Sequence, residues 1–168
     1  ASSKGIKVDV YTSDKDYLQL IDENIDINLL KTGLSNMDLV TNANMQEKYG
    51  FSPKQIIDYK GLRGDASDNL PGIPGVGEKT AVKLIGEYGS LEAIFKAAPS
   101  IKGKLGETLR QNEEQGRECY KLATIDTHVP LPFSLDDLAY KGFEIAVLSS
   151  FAKKLELNQL LARAPSRL

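Results

Sequence analysis

The run Gly64-Asp65-Ala66-Ser67-Asp68-Asn69-Leu70-Pro71-Gly72-Ile73-Pro74-Gly75-Val76-Gly77-Glu78-Lys79-Thr80-Ala81 constrains this chain more than any other segment. Gly64 and Asn69-Leu70-Pro71 are turn chemistry, and the glycines and prolines that follow keep the backbone out of regular structure until a helix can start at Glu78. The segment therefore sets a pair of carboxylates directly ahead of a glycine-rich turn and a lysine-bearing helix. Paired carboxylates hold a hard cation such as Mg²⁺. A Gly-x-Gly turn opening a helix offers bare backbone N–H groups to a phosphate. Metal and phosphate chemistry side by side is what work on a nucleic-acid backbone requires.

The remaining sequence sets outer bounds. At 168 residues the chain is one domain or two small ones, with 41% hydrophobic and 26% charged residues, the composition of a globular and not a disordered protein. No apolar run approaches the roughly 18 residues of a membrane span, so no membrane partner is expected. The start, Ala1-Ser2-Ser3-Lys4-Gly5, has no apolar core of a signal peptide. The single cysteine, Cys119, excludes an internal disulfide, fits a reducing cytoplasm, and reads as a packing residue in a helix over Gln115–Ala123. His128 is the only histidine, so a zinc site has no ligand set. A formal net charge of −2 leaves DNA binding open, because metal-binding carboxylates lower the total while a basic face persists elsewhere.

Along the chain, Lys7–Tyr11 alternates and is rich in β-branched residues, which predicts a strand. It leads into Thr12-Ser13-Asp14-Lys15-Asp16 and a helical Tyr17–Ile21, so acidic residues stand just past a strand, where open α/β sheets place their ligands. Ile25–Leu30 reads as a second strand, Lys31-Thr32-Gly33 as a turn, and Leu39–Thr41 as the return strand of a hairpin. From there the chain turns helical: Gln46–Tyr49 ending at Gly50; a helix opened by Ser52-Pro53-Lys54-Gln55, carrying Ile56, Ile57, Tyr59 and Leu62 and stopped by Gly64; Glu78–Tyr88; Leu91–Ala98; Gly103–Asn112; Glu114–Ala123; and Glu144–Leu155. One parallel-type strand is too little for a covered parallel sheet. The α/β part thus looks like the second half of a sheet, with an unpaired edge where the first half would lie.

Three motifs carry chemistry. Asp14 and Asp16, one residue apart in a turn, can converge on one cation; surface turns also produce such a pair by chance. Asp65 and Asp68 can do the same, the alternative being an Asx-turn that closes the preceding helix. Two acidic pairs in one domain are what a divalent site needs, and two ions about 4 Å apart serve in-line phosphoryl displacement. In the third motif Gly75 and Gly77 let the backbone approach a phosphate, while Lys79 and Lys83 sit one turn apart on the following helix, where they neutralise successive phosphates. Lys102 and Lys104 extend the positive side, against the alternative of a solvated helix surface. Gly72-x-x-x-x-Gly77-Glu78-Lys79-Thr80 is not a P-loop: Glu78 is inserted before the lysine and no strand leads in.

At these residues the sequence resembles the 5′ nuclease domain of bacterial DNA polymerase I and the related stand-alone 5′–3′ exonucleases and flap endonucleases. Thr12–Leu20, Gly64–Ala81 and Leu122-Ala123-Thr124-Ile125 carry the resemblance, in order, from about Gly5 to about Leu161. It implies an α/β fold in which a partial PIN-like nuclease core (1–63) precedes a mainly α-helical helix–three-turn–helix DNA-binding region (64–168). It further implies a hydrolase dependent on Mg²⁺ or Mn²⁺, with Asp14, Asp16, Asp65 and Asp68 as metal ligands. Gly72, Gly75, Gly77, Lys79, Thr80, Lys83, Lys102 and Lys104 would face duplex DNA beside a 5′ flap or junction, with K⁺ at the Gly75–Gly77 turn. A cytoplasmic, nucleoid-associated bacterial protein is implied as well. Relatives carry an earlier strand with a metal-binding Asp, a basic helical arch and a Glu-x-Asp-Asp segment upstream of the strand that begins here at Lys7; Ser13 stands where many have Gly or Ala. With those ligands in a missing N-terminal half, the expectation is about one metal site and poor cleavage by the polypeptide alone. The competing reading is a non-catalytic DNA-binding module. A nucleotide-sugar transferase loop built on Asp14-x-Asp16 would leave the Gly-x-Gly helix without a purpose.

Overall fold

The computed structural model describes residues 1–32, 36–142, 144–157 and 159. Val8–Thr12 forms strand β1, Ile25–Thr32 β2 and Asn36–Val40 β3, in the sheet order β1-β2-β3. β1 runs parallel to β2 with Val8 opposite Ile25, and β3 returns antiparallel with Val40 opposite Ile27. Alternation decides the faces: Ile27 and Leu29 of β2 and Val40 of β3 are buried, while Met37 and Leu39 are exposed. Among the described strands β1 and β3 are the edges.

The hairpin differs from its expected form. Lys31 and Thr32 extend β2 instead of turning, because the ladder continues to Thr32 opposite Asn36 and Lys31 Nζ reaches Asp38 Oδ2 across it at 3.3 Å. Gly33, expected in the turn, lies outside the described residues. Thr41 falls past the end of β3, where its carbonyl accepts from Asn44 and Met45 instead of joining the ladder. After β1 the chain forms a 3₁₀ helix over Lys15–Leu20 that buries Leu18; Ile21 is already extended.

Helices follow at Met45–Tyr49 (α1), Ile56–Arg63 (α2), Glu78–Tyr88 (α3), Leu91–Ala97 (α4), Lys104–Gln111 (α5), Glu113–Ala123 (α6) and Ile145–Lys154 (α7). Their ends obey local chemistry. Gly50 closes α1 at φ 82°. The Ser52 N–H donates to Gln55 Oε1 at 2.9 Å in a capping box over the 3₁₀ turn that leads into α2. Ser90 Oγ accepts from the Ala93 N–H at 3.2 Å at the head of α4, which stops at Ala97 because Pro99 sits in a separate 3₁₀ turn, Ala98–Ser100. Buried Asp58 adds a tertiary cap: its Oδ1 accepts from the Leu91 N–H at 2.8 Å, and although burial pushes its carboxyl above the ordinary range, that bond opposes the rise. None of the described helices is long and apolar enough to cross a membrane.

Ala1–His128 forms one compact unit and Val129–Leu168 a second. In the first, one core runs from Leu18, Ile27 and Val40 through Met45, Ile56 and Leu62 to Ile85, Ile94 and Leu109. At its centre α2 and α6 pack backbone to backbone. A Cβ on Gly116 of α6 would come within 2.7 Å of the Phe95 ring and 2.9 Å of Ile73 Cδ1, so glycine is what allows the approach. Gly116→Val therefore lowers stability by about 1–3 kcal/mol through overpacking, despite glycine's poor helix propensity. Urea denaturation followed by far-UV circular dichroism reads this as a lower midpoint.

Candidate metal and nucleic-acid site

α2 sets the site's position. It ends at Gly64, whose N–H still donates to Lys60 O at 2.8 Å, and the chain then reverses over the helix end. Asp65 and Leu70 exchange both backbone hydrogen bonds, Asp65 N–H to Leu70 O at 2.9 Å and Leu70 N–H to Asp65 O at 2.8 Å, closing a tight loop in which Asn69 takes φ 56°. The Ile73 N–H then returns to Leu62 O at 2.7 Å, so the loop is pinned to α2 on both sides. The crossing is close: a Cβ on Gly72 would strike the backbone of Arg63 and Gly64, and Gly72 also has φ 63°. Gly72, expected at the DNA face, is buried and spends its freedom on this crossing.

Within the loop Asp65 makes an Asx-turn, accepting at Oδ1 the Ser67 N–H at 2.9 Å and the Ser67 hydroxyl. That fixes the carboxylate and turns Oδ2 towards Lys60, 2.7 Å away. The Asx-turn, one of the two readings of the sequence, is thus present, and it leaves Oδ2 facing Lys60. Asp16 comes from the other side. Asp14 caps the 3₁₀ helix after β1, its Oδ1 accepting the Asp16 N–H at 2.8 Å, and Asp16 points at the same centre. Asp16, Asp65 and Asp68 each offer an oxygen within 4.8 Å of the others. Asp14 is exposed and stands outside this group among the described residues, one turn of chain from it.

The sequence reading missed Lys60. This lysine of α2 is only 4% exposed, and its ammonium lies among all three carboxylates, ion-paired with Asp16, 2.7 Å from Asp65 Oδ2 and 3.5 Å from Asp68 Oδ2. The available signal was its spacing: Lys60 follows buried Ile56 by four residues and so falls on the helix face that points inward. Burial alone pushes the Asp65 carboxyl up, but the Lys60 ammonium and the Ser67 donors outweigh it and hold the group at about 2. Beside the cluster opens a cleft of about 230 Å³, whose wall includes Lys15, Tyr59, Lys60, Arg63, Asp65 and Glu78. The Arg63 guanidinium lies over the Tyr59 ring, 5.8 Å from its centroid.

The glycine turn follows directly. Gly75 has φ 76°, which favours glycine. Gly77 has an ordinary φ of −88° and a Cβ there would meet nothing within 4 Å, so neither backbone nor packing demands glycine and its effect is to leave the N-terminus of α3 bare. Lys79 and Lys83 are exposed one turn apart on α3, Thr80 is half-buried between them, and Ala81, Leu84 and Ile85 anchor the opposite face. Lys102 and Lys104 are exposed at the start of α5, a separate element.

Residues 51–146 match the family described as 5′-3′ exonuclease, C-terminal SAM fold, and the chain belongs to that family. Among curated relatives, DNA polymerase I of Bacillus caldotenax is 41% identical over 167 residues, 99% of this chain and 19% of that protein. The chain thus spans under one fifth of the length of that relative. The fold matches a zinc-bound 5′-exonuclease of bacteriophage T5, with TM-score 0.61 and 23% identity over 70% of this chain and 42% of that one. It also matches a flap endonuclease of the same phage in a pseudo-enzyme–product complex with DNA and metal ions, with TM-score 0.62 and 22% identity over the same shares.

The low Asp65 value links the cluster to folding. The carboxyl sits at 3.8 in an unperturbed chain and about 2 here, so the folded state holds its proton less tightly. Its contribution to stability is complete above the ordinary carboxyl range and is lost as pH falls through about 2. Stability measured by urea titration across that acidic window should fall less steeply in Asp65→Asn than in the wild type.

Proposed function

We propose that this chain is part of a structure-specific 5′–3′ exonuclease or flap endonuclease of the polymerase I type, which hydrolyses DNA phosphodiester bonds near single-strand/duplex junctions in replication and repair. The observation that carries the reading is the continuity of one short segment: the loop that presents Asp65 and Asp68 runs into the Gly75–Gly77 turn and the lysine face of α3. In this reading 1–63 belong to the nuclease core and 64–168 to the duplex-gripping region of a bacterial, nucleoid-associated enzyme.

The donor chemistry fits a hard divalent cation. Asp16, Asp65 and Asp68 supply carboxylate oxygens close enough to share one ion, and Mg²⁺ or Mn²⁺ prefers such oxygens. Asp14 takes an outer position, next to the turn that orients Asp16. Asp16, Asp65 and Asp68 would hold the ion, which would supply Lewis acidity towards a phosphate and make hydroxide available as the nucleophile near neutral pH. The protein's own residues orient: Ser67 fixes the Asp65 carboxylate, Gly75 and Gly77 open the backbone to a phosphate, and Lys79, Thr80 and Lys83 hold the next phosphates along the strand. Lys102 and Lys104 extend this contact, K⁺ would bridge the Gly75–Gly77 turn to DNA, and Gly72 acts through the shape of the turn. The described carboxylates make one cation place, so two-ion hydrolysis calls for further ligands.

A 5′-labelled flap duplex tests this directly. The chain should bind it in Mg²⁺ but turn it over poorly, and turnover at the level of a polymerase I nuclease would contradict the single cation place. Lys79→Ala and Lys83→Ala should each weaken duplex binding without base preference and reduce the salt slope by about one unit.

A non-catalytic DNA-binding module is the second reading, and Lys60 favours it, since an ammonium already balances part of the acidic charge. The two separate in EDTA: a module keeps its affinity there and in the Asp65→Ala/Asp68→Ala variant, whereas a nuclease part shows Mg²⁺-dependent binding that the variant abolishes.

A further inference from the structure

We infer that Lys60 is a tethered counter-ion: its ammonium holds the place of a divalent cation among Asp16, Asp65 and Asp68 and must leave before that cation can bind. The inference rests on the metal reading above and assigns a role to a residue that reading does not use as a ligand.

Geometry comes first. The side chain of Lys60 is 6% exposed, so its charge has no solvent to lean on and depends on the carboxylates. It meets three of them, with Asp65 Oδ2 at 2.7 Å, Asp68 Oδ2 at 3.5 Å and Asp16 in direct ion pairing. A Mg²⁺ ion sharing those oxygens would sit about 2.0–2.1 Å from them, inside the volume the ammonium fills. Two cations do not share that volume.

Charge balance comes second. A structural salt bridge pairs one cation with one anion, whereas here three carboxylates and one ammonium leave a formal −2 on the group. The cluster is stabilised by Lys60 but not neutralised, which keeps it attractive to a divalent ion. A divalent ion in the same place reduces the residue of charge from −2 to −1 and does not need the ammonium.

Lys60 also has somewhere to go. A lysine stem is flexible and its ammonium is a point charge that can re-aim, unlike a guanidinium fork. The adjoining cleft of about 230 Å³ is lined by Lys60 itself and carries the Glu78 carboxylate on its wall. Swinging into that cleft moves the amine from a buried three-carboxylate pocket to an open one that still holds an acid. The device has two consequences: the loop keeps its shape without a divalent ion, and the divalent ion binds less tightly than three free carboxylates would bind it.

The test uses the 168-residue chain, Lys60→Met, which keeps the length of the stem without the charge, and Mn²⁺ as the probe, with bound ion read from the loss of the free-Mn²⁺ EPR signal. Lys60→Met should bind Mn²⁺ tighter than the wild type by about fivefold or more, the lower end of a typical coupling between two binding events. It should also melt at a lower temperature in EDTA and gain more from Mn²⁺. Equal or weaker Mn²⁺ binding by the folded variant overturns the inference and leaves the metal reading standing. Absence of Mn²⁺ binding by both proteins removes the metal reading itself. If Lys60→Met does not fold, the wild type still decides: acetylation of Lys60, followed by mass spectrometry, should rise several-fold on adding Mg²⁺ while Lys79 and Lys83 are unchanged. An unchanged Lys60 rate overturns the inference.

Discussion

The chain reversal over the end of α2 is the constraint on which the rest depends. Gly64 and Gly72 pass so closely that no side chain fits at the crossing, and the Asp65–Leu70 backbone pair and the Ile73–Leu62 bond lock the loop between them. That single knot aims Asp65 and Asp68 back at α2, where Lys60 waits, and sends the chain out as the Gly75–Gly77 turn. The positions of the carboxylates and of the glycine turn are therefore set by one backbone event. Its cost is borne by the core beneath, through Leu62 and Ile73, which are almost fully buried.

The electrostatics follow from that arrangement. Three carboxylates brought together on a protein repel one another and must be compensated. Here compensation comes from inside, from a lysine on the very helix that the loop caps, and from Ser67 within the loop. The cationic residues Lys79 and Lys83 instead stand in solvent on α3, with the opposite side of the helix buried. Negative and positive side chains are separated by a glycine turn, which lets a slightly acidic chain present a local positive face. The net charge of −2 carries no information about that separation.

Much of this was legible in the sequence because local rules and tertiary need agree there. Gly50, the Ser52–Gln55 box, Ser90 and the α3 span from Glu78 to Tyr88 are readable from caps and periodicity, and the structure has them where those signals lie. The carboxylate loop was legible for a different reason, since its turn residues and its acids alternate in one short run. What escaped was set by packing. Lys60 looks like a surface residue until the loop folds over it, and the burial of Gly72 is set by its crossing with Gly64. Lys31 and Thr32 look like a turn, but cross-strand pairing with β3 extends the ladder through them. Spacing alone equates Asp14 with Asp16; an Asx-type bond between the two turns one inward and leaves the other at the surface.

The central claim is that Asp16, Asp65 and Asp68 form one place for one cation, with Lys60 as its occupant in waiting. Crystals of the chain soaked in Mn²⁺, with anomalous diffraction collected at the manganese edge, test it most directly. The structure predicts one anomalous peak within coordination distance of those three carboxylates, with the Lys60 amine moved into the neighbouring cleft. A peak elsewhere, or full-occupancy Mn²⁺ with the Lys60 ammonium still among the three carboxylates, would contradict it.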